Sequence, residues 1–192
     1  LVHHLVSAYL EKIFEPDFIR HSYSSRKNKG TLKAVLTFQG MANRLSDHGQ
    51  KTCWVLKLDI SKFFASVNHK ILLKLLSSKI SDQDFLNLLQ NIIKSFPTKG
   101  IPIGNLTSQY FANIYLDMFD QFITQHLKLQ YYIRYADDFV ILSRDRNNLL
   151  NLISVIKNFL ELELDLTLHP QKIILRKFRS GVDFLGYVVF PN

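Results

Sequence analysis

Several features of secreted and membrane proteins are absent from the sequence. Its 192 residues include one cysteine, Cys53, which excludes an internal disulfide framework. No apolar run reaches the ~18 residues that a membrane-spanning helix requires. The opening LVHHLVSAYL lacks the basic start and the cleavage site of a signal peptide. We therefore expect a cytoplasmic protein with no membrane partner. The first residue, Leu1 rather than Met, favours a fragment of a longer chain.

Acidic residues are also absent from two long stretches of this chain, whose formal net charge is +8. Phe18 to Ser46 contains six basic residues, and Leu166 to Val182 contains four. Clustered positive charge favours a polyanionic partner such as a nucleic acid, because phosphate binding releases counterions. The alternative reading of charge alone is a solvated basic surface. The basic residues are Arg20, Arg26, Lys27, Lys29, Lys33 and Arg44, then Lys172, Arg176, Lys177 and Arg179.

The hydrophobic content of 47% is enough for a folded core. Cys53–Ile60 is predicted to be a strand, and 182–190 another. Tyr131–Tyr135 and Phe139–Leu142 predict a β-hairpin with Ala136-Asp137-Asp138 at its tip. Because the elements follow no regular βαβ repeat, we expect an α+β fold. Helices are predicted at Val2–Phe14, after Asn68 as a cap, from Asp82 to about Phe96 with Pro97 ending it, at Asn105–Leu127 and at Leu149–Leu164.

Three aspartates are the candidate catalytic residues. Asp59 ends a predicted strand, while Asp137 and Asp138 lie at the predicted hairpin turn. Carboxylates that meet in one sheet repel each other unless a cation lies between them. Mg²⁺ suits such a site, and two ions about 4 Å apart stabilise both oxygens of a phosphoryl transfer. The alternative is that Asp-Asp is ordinary turn chemistry.

The motifs around these acids resemble those of reverse transcriptases. YIRYADDFVIL resembles the family's YxDD signature, LDISKFFASVNH its motif A and GIPIGNLTSQYFANIYLD its motif B. LHPQK resembles motif D, FLGY the primer-grip motif E and SRKNKGT the fingers motif. The resemblance implies a right-hand polymerase with an antiparallel palm sheet packed on helices. Fingers are expected mainly at 1–52 and about 68–104, and the palm mainly at 53–67 and 105–192.

The resemblance also implies a role for each residue of the catalytic centre, which would bind two Mg²⁺ ions, with Mn²⁺ as an alternative. Asp59 and Asp137 would be the principal ligands, supported by Asp138 and the Ile60 carbonyl. Lys172 falls at the motif D lysine, which would protonate the leaving pyrophosphate. The alternative for Lys172 is a surface lysine after a turn.

Further residues would bind the substrates. Phe64 would lie under the nucleotide sugar and exclude a 2′-hydroxyl, whereas Phe63 is expected in the core. Lys27 and Lys33 are further candidates for phosphate binding. The nucleotide-binding candidates are Phe64, Ile103, Gly104, Gln109, Arg26 and Lys29, and the primer-grip candidates are Phe184, Leu185, Gly186 and Tyr187.

One departure from the family pattern narrows the subfamily. Most reverse transcriptases carry Gln-Gly where this chain has Ile103-Gly104, followed by Ser108-Gln109. IGNLTSQ and FEPDFIRHSYSSRKNKGT resemble the enzymes of diversity-generating retroelements, which implies error-prone copying of a template-repeat RNA, especially at adenines. Glutamine can hydrogen-bond near the incoming nucleotide, whereas isoleucine offers only shape. Fewer polar contacts would reduce discrimination against wrong pairs.

The expected function is RNA-directed DNA polymerisation. The expected partners are an RNA template, a DNA or RNA primer, dNTPs and a small basic accessory protein. Alternatives are the reverse transcriptase of a retron, a group II intron or a phage-defence system, and an inactive palm-fold module that only binds nucleic acid. Because the family continues into a helical thumb, we expect a truncated sequence rather than a thumbless enzyme.

Overall fold

A four-stranded antiparallel sheet forms the centre of the protein, whose computed structural model describes residues 2–96 and 98–191. The strands are β1 (Trp54–Asp59), β2 (Tyr132–Tyr135), β3 (Asp138–Ser143) and β4 (Ile174–Lys177), in the order β2-β3-β1-β4. A separate hairpin comprises β5 (Val182–Phe184) and β6 (Tyr187–Val189). The helices are α1 (Val2–Phe14), α2 (Thr31–Ser46), α3 (Phe63–Ser66), α4 (His69–Ser77), α5 (Gln83–Lys94), α6 (Leu106–Gln121) and α7 (Arg146–Leu164).

The two faces of the sheet bury different sets of side chains, since successive residues of a strand point to opposite faces. On β1, Leu56 and Leu58 belong to the larger core with α1 and α4–α7. Val55 belongs to the smaller core, which includes α2 and the β5–β6 hairpin. Burial of each such leucine or valine contributes roughly 1.5–3 kcal/mol. Lys57 and Asp59 share the face of Val55, so the polar end of β1 lies on the smaller-core side.

Side-chain caps determine where three of the helices begin. The Asp82 carboxylate accepts bonds from the backbone N–H groups of Asp84 and Phe85, which begins α5. Asp145 caps α7 in the same way, so this helix begins at Arg146 rather than at the predicted Leu149. Asn68 accepts from the Lys70 N–H and caps α4, as predicted. Helix α5 ends at Lys94, two residues before the predicted end at about Phe96, and Pro97 lies outside the described residues.

The predicted α+β class is confirmed, and one predicted strand is wrong. Residues 182–190 form a hairpin because Leu185 and Gly186 both have positive φ, at 55° and 83°. Two such residues in succession make a tight turn that matches the twist of the flanking strands. Leu-Gly is a weaker hairpin signal than Asn-Gly, so the pattern resembled one strand. The sequence also did not indicate β4.

Other elements extend or end the predicted segments. Residues 105–127 form α6 followed by a π-helix at Phe122–His126, where the Phe122 ring stacks on Phe159 at a centroid distance of 4.0 Å. Short 3₁₀ turns lie at Glu15–Asp17, Pro170–Lys172 and Phe178–Ser180. Within the described residues, every helix is too short or too polar to cross a lipid bilayer. The division into fingers and palm stays a prediction.

Candidate active site

The turn between β2 and β3 presents Asp137 at the end of the sheet. Tyr135 pairs with Asp138, so Ala136 and Asp137 form a two-residue turn. Ala136 has a φ of 53°, in the left-handed region that L-residues other than Asn and Asp seldom adopt. Such conformations persist where surrounding contacts hold them, and they are common at functional sites. The strand pairing therefore fixes a strained turn with the acid at its second position.

The register between β1 and β3 brings the first acid to the hairpin. Asp59 is the cross-strand partner of Asp138, at the end of the paired region. Directly opposed residues on antiparallel strands have Cβ atoms roughly 4.5–5.5 Å apart. The predicted meeting of the first strand and the acidic hairpin is therefore present in the fold. Asp59 is 6% exposed, so its carboxylate lies at the floor of the site.

Two lysines contact these carboxylates. Lys172 Nζ donates to Asp59 Oδ2 at 2.8 Å, and this hydrogen bond raises the pKa of Lys172. Lys57 Nζ lies 3.8 Å from Asp138 Oδ1 and 3.5 Å from Asp183 Oδ1. Each cation offsets part of the repulsion among the acids. The ammonium of Lys172 supplies positive charge beside the Asp59 carboxylate. A bound metal ion would supply positive charge to the same carboxylate.

The remaining acids are held in an unfavourable electrostatic environment. Burial raises the pKa of Asp137, and the charges of Asp59 and Asp138 raise it further. Burial also raises the pKa of Asp138, against the opposing effect of Lys57. Deprotonated carboxylates in such a place favour a bound cation. The donor set of hard oxygens suits Mg²⁺.

The acids at the end of the sheet do not make up a complete metal site without further ligands. Among residues 2–96 and 98–191, no three acidic, histidine or cysteine side chains are placed to hold an ion by themselves. Mg²⁺ in phosphoryl-transfer sites usually takes one or two carboxylates together with substrate phosphates. Asp59, Asp137 and Asp138 could therefore hold such an ion only together with oxygen ligands from a nucleotide.

Replacing Asp137 with Asn should stabilise the metal-free protein. The folded-state pKa of Asp137 is raised, so the folded protein binds more protons than the unfolded chain between the ordinary and the raised pKa. Stability therefore falls as pH rises through that window and stays lower above it. We expect Asp137→Asn to gain about 1 kcal/mol at neutral pH, the scale of common stabilising changes. Thermal unfolding with a chelator measures this; an unchanged or lower melting temperature contradicts it, and exposed Glu163→Gln is the control.

The region expected to contact the nucleotide follows Asp59 in the chain. Phe63 is 1% exposed and belongs to the core, whereas Phe64 is half-buried and packs edge-on against Phe63. The Ile101 N–H donates to the Phe64 carbonyl, and the Gly100 N–H donates to the Val67 carbonyl, each at 2.7 Å. A Cβ on Gly100 would lie 2.9 Å from the backbone of Ala65, so only glycine fits there. The loop at Gly100–Ile101 is therefore hydrogen-bonded to α3, the short helix that carries Phe64, and to the residue that follows it.

Past this anchor, the loop opens to solvent. Ile103 is 83% exposed, and Gly104 follows with a φ of 96° and open space around its Cα. Ile60 is buried, at 1% exposure, directly after Asp59. Gln109, on the first turns of α6, lines a separate cleft of about 630 Å³ with the basic segment 25–30. The structure thus places Ile103 and Gly104 in surroundings different from those of Gln109.

Two candidates for phosphate binding in segment 25–30, Arg26 and Lys29, have different surroundings. Arg26 is an anchor, because its Nε bonds Glu15 at 2.9 Å and its Nη1 bonds the carbonyl of Ile19 at 2.6 Å. Its side chain is only 5% exposed, so the fold already uses the guanidinium. Lys29 lines the same cleft, and burial and the charges of Arg26 and Lys33 lower its pKa. Lys29 Nζ also donates to the Arg20 carbonyl, at 2.5 Å, but a bound phosphate would relieve the repulsion from Arg26 and Lys33, which makes Lys29 the better placed of the two.

The primer-grip candidates form the β5–β6 turn. Phe184 is fully buried and packs edge-on against Phe38 at 5.4 Å. Leu185 and Gly186 make the turn itself, and Tyr187 is 49% exposed. Asp183 links this hairpin to the acids through Lys57. The hairpin therefore presents its turn and Tyr187, and uses Phe184 to hold its place.

A buried polar network beneath the acidic turn was missed by sequence reasoning. Arg134 on β2 forms a two-point ion pair with Asp120 of α6, at 2.8 and 2.6 Å, and both side chains are 0% exposed. The Tyr132 hydroxyl donates to Asp120 Oδ1 at 2.6 Å. Arg134 Nη1 also donates to the Ala136 carbonyl at 3.1 Å. A charged residue inside the apolar run YIRY was the available signal.

Comparison with known proteins assigns the family. The model of the family described as reverse transcriptase (RNA-dependent DNA polymerase) matches residues 1–189. A putative COX1/OXI3 intron 2 protein of Saccharomyces cerevisiae is 24% identical over 94% of this chain and 28% of its own length. Protein YkfC of Escherichia coli is 27% identical over 93% of this chain and 57% of its own. The group II intron-encoded protein LtrA of Lactococcus lactis is 28% identical over 68% and 22%.

A solved structure shows the same fold at lower identity. Telomerase from Candida albicans, solved with a fragment of telomeric RNA, superposes with a TM-score of 0.69 at 14% identity. The match covers 99% of this chain and 36% of the telomerase chain. This chain therefore spans a minor part of several relatives and little more than half of YkfC. With the family model matching nearly every residue, the chain belongs to the reverse transcriptase family.

Proposed function

We propose that the protein is an RNA-directed DNA polymerase that adds dNTPs to a primer 3′-hydroxyl. The observation that carries the proposal is the register of β1 and β3, which sets Asp59 opposite Asp138 and beside the Asp137 turn. At one end of the sheet, burial raises the pKa of Asp137 and of Asp138, and Lys172 balances the charge of Asp59. This group of acids suits phosphoryl transfer, a reaction in which charge develops on oxygen atoms. Relatives named as intron-encoded proteins and a telomerase fold bound to RNA support an RNA template.

Asp59, Asp137 and Asp138 would hold Mg²⁺, with the Ile60 carbonyl as a further oxygen ligand. When bound, the two ions would activate the primer hydroxyl and neutralise the leaving pyrophosphate. The protein itself orients the acids through the sheet register and keeps Asp59 at the floor of the site. Lys172, 55% exposed and 2.8 Å from Asp59, is free on its outer side to donate a proton to a leaving phosphate.

Phe64 would select deoxynucleotides. Its half-buried ring is backed by Phe63 and by the Gly100–Ile101 anchor, so it cannot retreat without disturbing the core. A ring held in this way excludes a 2′-hydroxyl by shape. Lys29 would contact phosphates from the fingers side, and the β5–β6 turn would support the primer end.

The finer proposal is an error-prone enzyme of the diversity-generating type. It is supported by Ile103, whose exposed side chain offers apolar contact but no hydrogen bond to a nucleotide or template. We expect Ile103→Gln to reduce misincorporation opposite template adenine by roughly three- to tenfold, the effect of one regained hydrogen bond. A fidelity assay on an RNA template measures this. Unchanged misincorporation would remove the role of Ile103, and exposed Leu162→Gln is the control for a new amide.

The competing function is an inactive module that binds nucleic acid on its basic surface. Primer extension on an RNA template with Mg²⁺ and dNTPs separates the two, with the chain in its complete natural polypeptide. Extension that depends on Mg²⁺ supports the polymerase. Binding of template and primer without any extension would favour the inactive module.

A further inference from the structure

We propose that Arg134 is a positioning residue that fixes the acidic turn, Ala136-Asp137, and the basic segment 25–30 relative to each other. The inference rests on the proposed function, since it assigns Arg134 to the candidate metal centre. Arg134 touches none of the three acids. It acts through the groups to which its guanidinium and its backbone bond.

The first link runs from Arg134 to the acidic turn. Its Nη1 donates to the carbonyl of Ala136, the residue whose φ of 53° sets the direction of Asp137. A left-handed alanine costs free energy unless its surroundings impose it. The pair of bonds to Asp120 fixes the plane of the guanidinium, and Asp120 lies on the rigid helix α6. The turn is thereby held from below by a group that cannot rotate.

The second link runs from Arg134 to the fingers segment. The Arg134 N–H donates to the His21 carbonyl and the Tyr23 N–H donates to the Arg134 carbonyl, both at 2.9 Å. Asn113 of α6 accepts from Arg134 Nη1 at 3.3 Å and donates to the Ser24 carbonyl at 2.9 Å. Ser24 immediately precedes the basic segment 25–30. One residue therefore connects the loop that carries Lys29 with the turn that carries Asp137.

The chemistry of this network favours arginine over other ways to fill the same space. Desolvation makes a fully buried ion pair no better than apolar packing for stability in many proteins. Only the planar guanidinium supplies two parallel bonds to Asp120 and further donors for Asn113 and the turn. Lysine retains the charge, but it has neither the planar fork nor the fixed direction. We therefore attribute this network to the positioning of the neighbouring groups rather than to the filling of core volume.

The test is Mn²⁺ binding to the protein in the presence of a saturating non-hydrolysable dNTP, followed by titration of the paramagnetic signal of Mn²⁺. We expect Arg134→Lys to weaken Mn²⁺ binding about tenfold, within the range for residues that orient metal ligands. Tyr132→Phe is the matched control, because it removes a bond to Asp120 in the same network and none to the turn. It should leave Mn²⁺ affinity within about twofold. Equal losses in both variants, or none in Arg134→Lys, would overturn the inference.

A second variant keeps the inference testable if Arg134→Lys does not fold. Asn113→Ala retains the ion pair, but it removes the acceptor of one Arg134 Nη1 bond and breaks the link to Ser24. We expect it to keep Mn²⁺ affinity and to weaken equilibrium binding of a dNTP with Mn²⁺ by about three- to tenfold, as for one lost hydrogen bond. Unchanged dNTP binding would overturn the link to the fingers. Neither readout requires polymerisation, so wild-type protein that shows both bindings but no primer extension would contradict the proposed function alone.

Discussion

Asp137→Asn is expected to reduce primer extension on an RNA template by more than about a hundredfold, with Mg²⁺ and dNTPs supplied. Loss of a residue that merely orients a metal ligand costs about 10–100-fold, and loss of a ligand should cost at least as much. The amide of Asn is neutral, so it would bind a divalent cation weakly. The measurement is the single-turnover rate of nucleotide addition at saturating dNTP.

The exposed Asp84→Asn variant is the charge-matched control, and we expect it to extend primers at the wild-type rate. Because Asp137→Asn should also be more stable than wild type without metal, unfolding cannot account for its inactivity. This opposition between activity and stability is characteristic of strained catalytic sites. Activity of Asp137→Asn within tenfold of wild type would remove Asp137 from the proposed metal ligands.

Asp120→Ala is expected to lower the free energy of unfolding by about 3–5 kcal/mol, the usual cost of removing one partner of a buried ion pair. Arg134 would keep its charge in a site with 0% exposure and lose the acceptor of two bonds. The Tyr132 hydroxyl would also lose its acceptor. Denaturant unfolding at neutral pH measures the change.

The control for this prediction is Glu161→Ala, which removes the exposed partner of Lys157 at 3.9 Å. Pairs of this kind contribute only about 0.3–0.5 kcal/mol. A loss below about 1 kcal/mol in Asp120→Ala would mean that Arg134 finds another partner or water. The triple replacement Arg134→Met, Asp120→Leu and Tyr132→Phe should recover most of the stability, since apolar packing often matches a buried ion pair.

Local patterns predicted the elements that carry the site. Alternation predicted β1 nearly to the residue, and Asn68 and Asp82 predicted the helix starts because caps depend on neighbouring residues. The hairpin at 182–190 was missed since its turn, Leu185-Gly186, has a φ that only the backbone reveals. The strand β4 was missed because a four-residue edge strand carries almost no periodic signal.

The catalytic candidates show the same division. The sequence indicated the candidate acids, through residue types and motif order, and comparison with known proteins assigned the family. It did not indicate that the Arg26 guanidinium would bond Glu15 and the Ile19 carbonyl. In the sequence, a basic residue in a polar loop looks the same whether its side chain is buried or exposed. The long-range path of the chain decides that difference.

By itself, then, the sequence determined the chemical groups available: three carboxylates, the lysine of LHPQK, the two adjacent phenylalanines and the basic stretches. Only the tertiary structure decided which of them meet. The antiparallel register sets Asp59 opposite Asp138, Lys172 reaches Asp59 across 113 residues, and Arg134 joins the turn to the backbone of His21 and Tyr23. These contacts depend on strand pairing and burial between distant parts of the chain, which a local pattern of residues does not encode.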